Sequence, residues 1–178
     1  LHFGWHTGDQ RHVDTPALDV LSTVLGHGRS SRLYRAIREK GLSHSVSAWV
    51  YTPGSVGLFG VSAVCDADKV EAVRAAIREE LERVAEEPMN PDELRRAVKQ
   101  FTVGTLATRK TMEGQAQDLG SSWMAAADLH FSERYLAAVQ RLTPADLLRV
   151  ARTYLQRNGQ TTYVLQPVGE VVEKPARA

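Results

Sequence analysis

The sequence has almost no cysteine and no excess charge of either sign. Cys65 is the single cysteine among 178 residues. One thiol excludes an intramolecular disulfide and any metal site built from several thiolates, and it leaves the redox compartment open. The 22 Lys and Arg residues are balanced by 21 Asp and Glu residues, which gives a net charge of +1. Because such a chain lacks a strong overall field, we expect no nucleic-acid partner.

Long apolar runs are also missing. No segment approaches the roughly 20 consecutive apolar residues that a membrane-spanning helix needs, so we expect no membrane partner. The N-terminus, Leu-His-Phe-Gly-Trp, lacks the basic and apolar regions of a signal peptide. With 43% hydrophobic residues, the sequence predicts a soluble domain with a sizeable core.

The chain begins without Met, in the middle of a predicted strand, so we expect it to be a fragment of a longer protein. The usage of Ala and Arg favours a bacterial source. The bacterial cytoplasm and periplasm both remain open as its location.

Alternating and helical spacings divide the chain into strands and helices. Strands are predicted over 1–7, 46–51, 56–65 and 161–165, with Pro53-Gly54 at the centre of a type II turn. Helices are predicted over 16–25, 31–40, 70–84, 91–105, 115–129 and 144–154. This order predicts an α+β fold, a two-layer sandwich whose mixed, mostly antiparallel sheet has helices packed on one face. We assign residues 1–168 to one domain and residues 169–178 to a tail or linker.

Three helices have recognisable start signals. Asp14 or Thr15 can cap the first, with Pro at its first position. Asn90 precedes Pro and two acidic residues, and Thr143 precedes Pro-Ala-Asp. Both patterns are typical of a capped first turn.

The segment from Leu25 to Tyr51 combines definite local structure with basic side chains. Gly26 and Gly28 are expected to end the first helix in a left-handed conformation, and Gly41 to end the second. Arg38 falls at the end of the second helix and His44 at the start of the next strand. Both therefore flank one helix-to-strand corner and could face one cleft.

Metal and nucleophile signals are weak. The six histidines do not form His-Glu-x-x-His or His-x-x-Glu-His, so we predict no metal bound by this chain alone. His2 and His6 are four residues apart, but on a predicted strand. Ser30 and Ser31 lie beside Gly28 without a Gly-x-Ser-x-Gly elbow, and are better explained as caps of the second helix. No catalytic residue is assigned.

Arg38 and His44 are the candidate binding residues. An Arg at a helix C-terminus can simply complement the helix dipole, but its planar guanidinium can also grip a peptide carbonyl or a carboxylate. His44 could donate a hydrogen bond to a carbonyl or an oxyanion. The hairpin offers another possibility, because an exposed strand edge can accept an extended peptide by main-chain pairing.

Residues 18–48 read L-D-V-L-S-T-V-L-G-H-G-R-S-S-R-L-Y-R-A-I-R-E-K-G-L-S-H-S-V-S-A. Together with Asn90-Pro91-Asp92-Glu93-Leu94 and the segment 142–147, they resemble the second-half domain of the pitrilysin/insulinase family of zinc peptidases. This family includes mitochondrial processing peptidase. The resemblance implies the α/β sandwich of that metallohydrolase fold and an assembly in which two halves close around a chamber.

In that family one half carries His-x-x-Glu-His and the zinc, and this chain resembles the other half. The resemblance implies that zinc lies in a partner half, in the same chain or a partner subunit. It also implies that an Arg and a Tyr at the helix-to-strand corner bind substrate. Arg38 stands at the Arg position, whereas His44 stands at the Tyr position with a spacing one residue shorter than in many members.

Two functions follow from the resemblance. The first is a substrate-binding, non-zinc half that helps enclose unfolded peptides for hydrolysis and is inactive alone. The second is a catalytically inactive scaffold or interaction subunit built on the same fold. A His-x-x-Glu-His motif in the rest of the protein, or in a partner, favours the first.

Overall fold

Four strands form one antiparallel sheet in the computed structural model, which describes residues 1–166. The strands are β1 (His2–Thr7), β2 (Ser45–Tyr51), β3 (Gly57–Val64) and β4 (Gln160–Tyr163), and their order in the sheet is β2-β3-β1-β4. All three strand pairs are antiparallel. The hairpin and the closing strand predicted from the sequence are confirmed. The predicted tail at 169–178 lies outside the described residues.

Six α-helices complete the fold. The first precedes the hairpin and the others follow it. They are α1 (Thr15–Gly26), α2 (Val70–Glu86), α3 (Pro91–Thr108), α4 (Met112–Ala126), α5 (Phe131–Gln140) and α6 (Pro144–Tyr154). A π-helical turn at Tyr34–Arg38 and short 3₁₀ turns at Ala67–Lys69 and Arg157–Gly159 connect the elements.

The hydrophobic core lies between one face of the sheet and the helices. Alternation in the strands directs Phe3 and Trp5 of β1 inward, opposite Val61 and Phe59 of β3. The helical stripe of α1 meets this face with fully buried leucines at positions 18, 21 and 25. The opposite face of the sheet carries exposed side chains, among them Trp49, Tyr51 and Tyr163. The expected α+β sandwich with helices on one face is confirmed.

Two of the predicted helix starts have the expected caps. The Asn90 side chain accepts a hydrogen bond of 2.8 Å from the Asp92 amide at the start of α3. Thr143 and Asp146 form a reciprocal capping box at the start of α6. Each device satisfies amide groups that have no partner within the helix.

Asp14 behaves differently from the prediction. It occupies the position before α1, yet its side chain makes no capping hydrogen bond. Its carboxylate instead accepts hydrogen bonds from Arg149 at 2.6 Å and from Tyr154 at 2.9 Å, and it is buried. Asp14 therefore joins the start of α1 to α6, a long-range contact that the local pattern does not contain.

The predicted glycine roles are partly correct. Gly28 and Gly41 adopt positive φ of 81° and 71°, as expected for glycines that end helical segments. Gly26 remains inside α1, where a Cβ atom would lie 2.0 Å from the Ala48 amide nitrogen. Its role is to let α1 approach β2 closely. The helix itself ends at His27 in an extended conformation.

One local prediction is wrong, and one helix was missed. Gly54 is not among the glycines with positive φ in the described chain, so Pro53-Gly54 does not form a type II turn; residues 52–56 form a longer loop instead. Helix α5 was not predicted. Its first residue follows His130, whose side chain gives no cap, so the sequence lacks a start signal there.

Candidate functional site

The connector between α1 and β2, residues 27–44, holds the candidate binding residues. Leu33 and Ile37 are fully buried and anchor its π-helical turn against the core. Residues on the other side of the turn, including Arg35 and Arg38, are exposed. The apolar spacing of Leu33 and Ile37 thus determines which basic side chains face outward.

Arg32 fixes the connector to α3. Its guanidinium donates two hydrogen bonds to the Glu93 carboxylate, at 3.0 and 2.7 Å. Both side chains are 15% exposed. The hydrogen bond that Arg32 donates to Glu93 raises the pKa of Arg32 above its ordinary value, so the guanidinium stays protonated.

Arg38 ends the π-helical turn and its side chain is exposed. Its carbonyl accepts a hydrogen bond of 3.1 Å from the Gly41 amide, which turns the chain back toward β2. Its guanidinium forms no ion pair with any residue of the described range 1–166. Five N–H donors are therefore available to a carbonyl or a carboxylate.

His44 lies just before β2. Its amide donates to the Val64 carbonyl at 2.7 Å, which continues the β2–β3 ladder. Its imidazole Nε2 is 3.0 Å from Asp66 Oδ1, and the side chain is 67% exposed. These contacts position both the backbone and the ring of His44. The Nδ1 atom of the ring takes no part in the contact with Asp66.

Asp66 is a member of this corner that sequence reasoning missed. Its second oxygen lies 3.0 Å from Lys69 Nζ, and Lys69 Nζ lies 3.5 Å from the Gly41 carbonyl oxygen. The hydrogen bond from Lys69, and after it that from His44, holds the pKa of Asp66 below its ordinary value. A carboxylate 22 residues away from His44 carries no local sequence signal, because only the β2–β3 pairing brings the two together.

The described structure places Arg38 and His44 on the same connector without a hydrogen bond or an ion pair between them. Both are exposed, and both flank the start of β2, an edge strand that pairs with β3 on one side. The main-chain groups on its other edge have no strand partner within residues 1–166. The shared binding role of the two residues remains a prediction.

A prominent open space lies elsewhere. A cleft of about 830 Å³ separates the β2–β3 loop from α4, lined by residues of 9–11, 52–55 and 113–125. Neither Arg38 nor His44 lines it. The candidate corner therefore lies outside this cleft, on the exposed surface of the domain.

Two of the side chains considered as chemical candidates, those of His2 and Ser31, have structural partners. His2 Nδ1 lies 2.9 Å from Ser62 Oγ, and its ring stacks on Tyr163 at 4.6 Å. Ser31 Oγ donates to the Gly28 carbonyl at 2.8 Å. No group of three or more His, Cys, Asp or Glu residues in the described part of the chain could hold a metal ion. The residues present therefore do not fit a zinc site.

The fold is an α+β sandwich with one antiparallel sheet, and its described residues hold no cluster of metal ligands. The family model for the peptidase M16 inactive domain matches residues 1–101, more than half of the chain. The chain belongs to the peptidase M16 family, as its inactive domain. The resemblance to the non-zinc half of this group of zinc peptidases is confirmed.

A relative of known sequence agrees with this assignment. An uncharacterized zinc protease of Streptomyces coelicolor is 35% identical over 161 residues, which cover 90% of this chain and 34% of that protein. The chain thus spans about a third of the length of this relative.

Solved structures support the fold alone, at low identity. A protease from Helicobacter pylori superposes with a TM-score of 0.81 at 23% identity, over 89% of this chain and 39% of that one. A peptidase M16 inactive domain from Pseudomonas fluorescens gives 0.73 at 21%, over 89% and 38%. Within residues 1–166, none of the helices has the length and apolar character needed to cross a bilayer.

Proposed function

We propose that this chain is the substrate-binding half of an M16 zinc peptidase, and that it presents Arg38 and His44 to an unfolded peptide beside zinc held by another half. The observation that most supports this role is the exposure of both side chains, His44 directly before an edge strand and Arg38 on the connector that leads into it. Arg38 in particular keeps its guanidinium free of internal ion pairs across residues 1–166.

The two side chains suit a peptide main chain. The Arg38 guanidinium donates to a carbonyl or a carboxylate of the substrate. Asp66 holds Nε2 of His44, so Nδ1 is the ring atom that meets the peptide. The unpaired edge of β2 adds main-chain donors and acceptors for an extended segment.

Zinc belongs to the partner half in this proposal. The described residues offer no metal-ligand cluster, and the sequence has no His-x-x-Glu-His. This chain therefore binds and orients the peptide, and the isolated chain is inactive. A peptide-cleavage assay on the isolated chain with added zinc tests this point, and robust chelator-sensitive turnover would contradict it.

Arg38→Ala in the complete protease tests the binding role. Loss of a charge-assisted hydrogen bond of about 1.5–3 kcal/mol corresponds to a fall in kcat/KM of roughly tenfold or more. Arg35→Ala is the matched control, because Arg35 is an exposed Arg on the same turn. Circular dichroism should show both variants folded. Equal kinetics for Arg38→Ala and the wild type would refute the role.

The second candidate is a scaffold subunit without proteolysis in its complex. The match to a domain described as inactive is compatible with it. The sequence of the rest of the protein, or of its partner, separates the two candidates. A complete assembly without His-x-x-Glu-His and without peptide turnover would favour the scaffold.

A further inference from the structure

Helix α4 turns its apolar side away from its own domain. Of its 15 residues, Ser122 is the buried one. Met112, Leu119 and Trp123 lie at spacings of seven and four, which places them on one side of the helix. They are 82%, 47% and 58% exposed.

Polar contacts hold α4 to the domain. Asp118 binds Arg109 at 3.1 Å and accepts a hydrogen bond of 3.0 Å from Ser132, beyond the end of the helix. A helix of a self-contained domain shows the reverse arrangement, with its apolar stripe toward the core and its polar side toward water. The orientation of α4 is typical of a helix whose apolar side is covered by another domain or chain.

Further exposed apolar side chains lie on the segments that adjoin α4 in the chain. We call this set, with two residues of α3 and one residue after α4, the α3–α4 apolar surface. Its members are Val103, Leu106, Met112, Leu119, Trp123, Met124 and Leu129. So many exposed apolar side chains on successive segments are typical of an interaction site rather than of ordinary surface.

The composition of α4 favours a permanent partner. The helix carries two charged residues, Glu113 and Asp118, and Asp118 is already paired. By contrast, α2 carries charged residues along its whole exposed side. Depletion of charge with enrichment of Trp and Met is typical of interface cores, and most of all of obligate ones.

We propose that the α3–α4 apolar surface is the face on which this domain packs against the zinc-bearing half of the protease. This inference rests on the proposed function, since it takes the zinc-bearing half as the partner. The relative from Streptomyces coelicolor has about two thirds of its length outside the match, so a constitutive partner of sufficient size is available in such a protein. A substrate peptide would leave the surface uncovered between turnovers, whereas a joined half covers it continuously.

Hydrogen exchange of the complete protease, compared with the isolated chain, tests the proposal. We expect the amides of α4 to exchange at least about tenfold more slowly in the complete protease, because the packed half suppresses local opening. The amides of α2 serve as the internal reference and should differ little. Equal exchange of α4 in the two samples would overturn the proposal.

A pair of matched variants sharpens the test. Trp123→Glu in the complete protease should restore fast exchange in α4 and expose the junction between the halves to limited proteolysis. Val13→Glu is the control, since Val13 is 82% exposed but lies on the loop before α1. In the isolated chain both variants should unfold at the wild-type denaturant midpoint. A Trp123→Glu protease that keeps slow exchange in α4 would contradict the proposal.

Other outcomes are distinguishable. If α4 is protected in the isolated chain and the protection grows with its concentration, the surface joins two copies of this chain and the proposal is wrong. If α4 is protected in the complete protease while Arg38→Ala leaves peptide turnover unchanged, the packing inference stands and the substrate-binding role fails.

Discussion

Asp66 Oδ1 lies 3.0 Å from Nε2 of His44. His44 precedes β2 and Asp66 follows β3, so the pairing of the two strands brings them together. The other carboxylate oxygen is held by Lys69 at 3.0 Å. These side chains are exposed, so the contacts contribute little to the stability of the fold. Their effect is to orient the imidazole, which fixes the ring atom that remains available at the candidate site.

Lys69→Met should raise the pKa of Asp66 toward its ordinary value, because Lys69 is the largest cause of its lowering. His44→Phe should raise it less. Because folding lowers the pKa of this carboxyl group, the contribution of its ionised form to stability is fully present above the pKa of the unfolded chain. That contribution is lost as the pH falls through the pKa of the folded chain. Carboxyl ¹³C shifts followed by NMR between pH 2 and pH 6 measure the change. Lys99→Met, on the distant helix α3, is the control, and an equal response to it would rule out the local cause.

A second titratable contact joins α1 to α5. The Tyr135 hydroxyl donates a hydrogen bond to the Asp19 carboxylate. Burial nevertheless raises the pKa of Asp19 to about 6, since desolvation outweighs the hydrogen bond. The folded state therefore holds a proton that the unfolded state releases above its pKa of 3.8. Stability contributed by this proton is complete below pH 3.8 and is lost as the pH rises toward 6.

Asp19→Asn should therefore stabilise the chain at pH 7 and have little effect near pH 3.5. The amide oxygen still accepts from Tyr135, while the buried charge is gone. A shift of about two pKa units corresponds to a gain on the order of 2–3 kcal/mol at pH 7. Urea unfolding at both pH values measures it. Asp19→Ala, which removes the acceptor as well, should gain less, and a pH-independent effect of Asp19→Asn would contradict the assignment.

Local sequence signals predicted those features whose partners lie within a few residues. The caps at Asn90 and Thr143 are of this kind, because each side chain bonds an amide in the first helical turn. The strands of the hairpin were also predictable from their alternation and adjacency. Arg38 and His44 were predicted from their place at one helix-to-strand corner and from the family resemblance, and their exposure agrees with a binding role without testing it.

Features that depend on long-range contacts could not be predicted from the sequence. Asp14 has the residue type and position of a helix cap, but Arg149 and Tyr154 compete for its carboxylate across 135 and 140 residues. Asp66 becomes a partner of His44 only through strand pairing. The apolar residues of α4 look from their spacing like an ordinary core face, and the direction in which they point depends on the packing of α5 and on Asp118.

The Arg32–Glu93 pair should be strongly coupled. Both groups are largely buried, so removal of one leaves the other charge with little solvation. Arg32→Met should lower the free energy of unfolding by about 3 kcal/mol, whereas the double variant Arg32→Met/Glu93→Leu should recover most of the loss. Denaturant unfolding of the four proteins in a double-mutant cycle measures the coupling. If the two single variants lose free energies of unfolding that simply add up in the double variant, Arg32 and Glu93 are not energetically coupled.

Gly26 and Gly104 give opposite predictions for the same substitution. Gly26→Ala places a methyl group 2.0 Å from the Ala48 amide nitrogen, which is backbone of β2 and cannot rotate away. We expect a loss of about 2–3 kcal/mol or more, because α1 must move off the sheet. Gly104 lies within α3 and a Cβ there meets no atom within 4 Å, so Gly104→Ala should stabilise by about 0.5–1 kcal/mol through helix propensity and reduced entropy of the unfolded chain.

Thermal and urea unfolding of the two glycine variants decide between a packing role and a conformational role for Gly26. Since Gly26 is helical and has no positive φ, a loss of stability in Gly26→Ala indicates the contact with the β2 main chain at Ser47 and Ala48. Ala48→Gly, which leaves the β2 backbone in place, should not rescue Gly26→Ala, because the clash is with the main-chain nitrogen. A Gly26→Ala chain as stable as the wild type would mean that α1 and β2 are not held at the observed distance, and the anchoring of the connector that carries Arg38 and His44 would then need a different explanation.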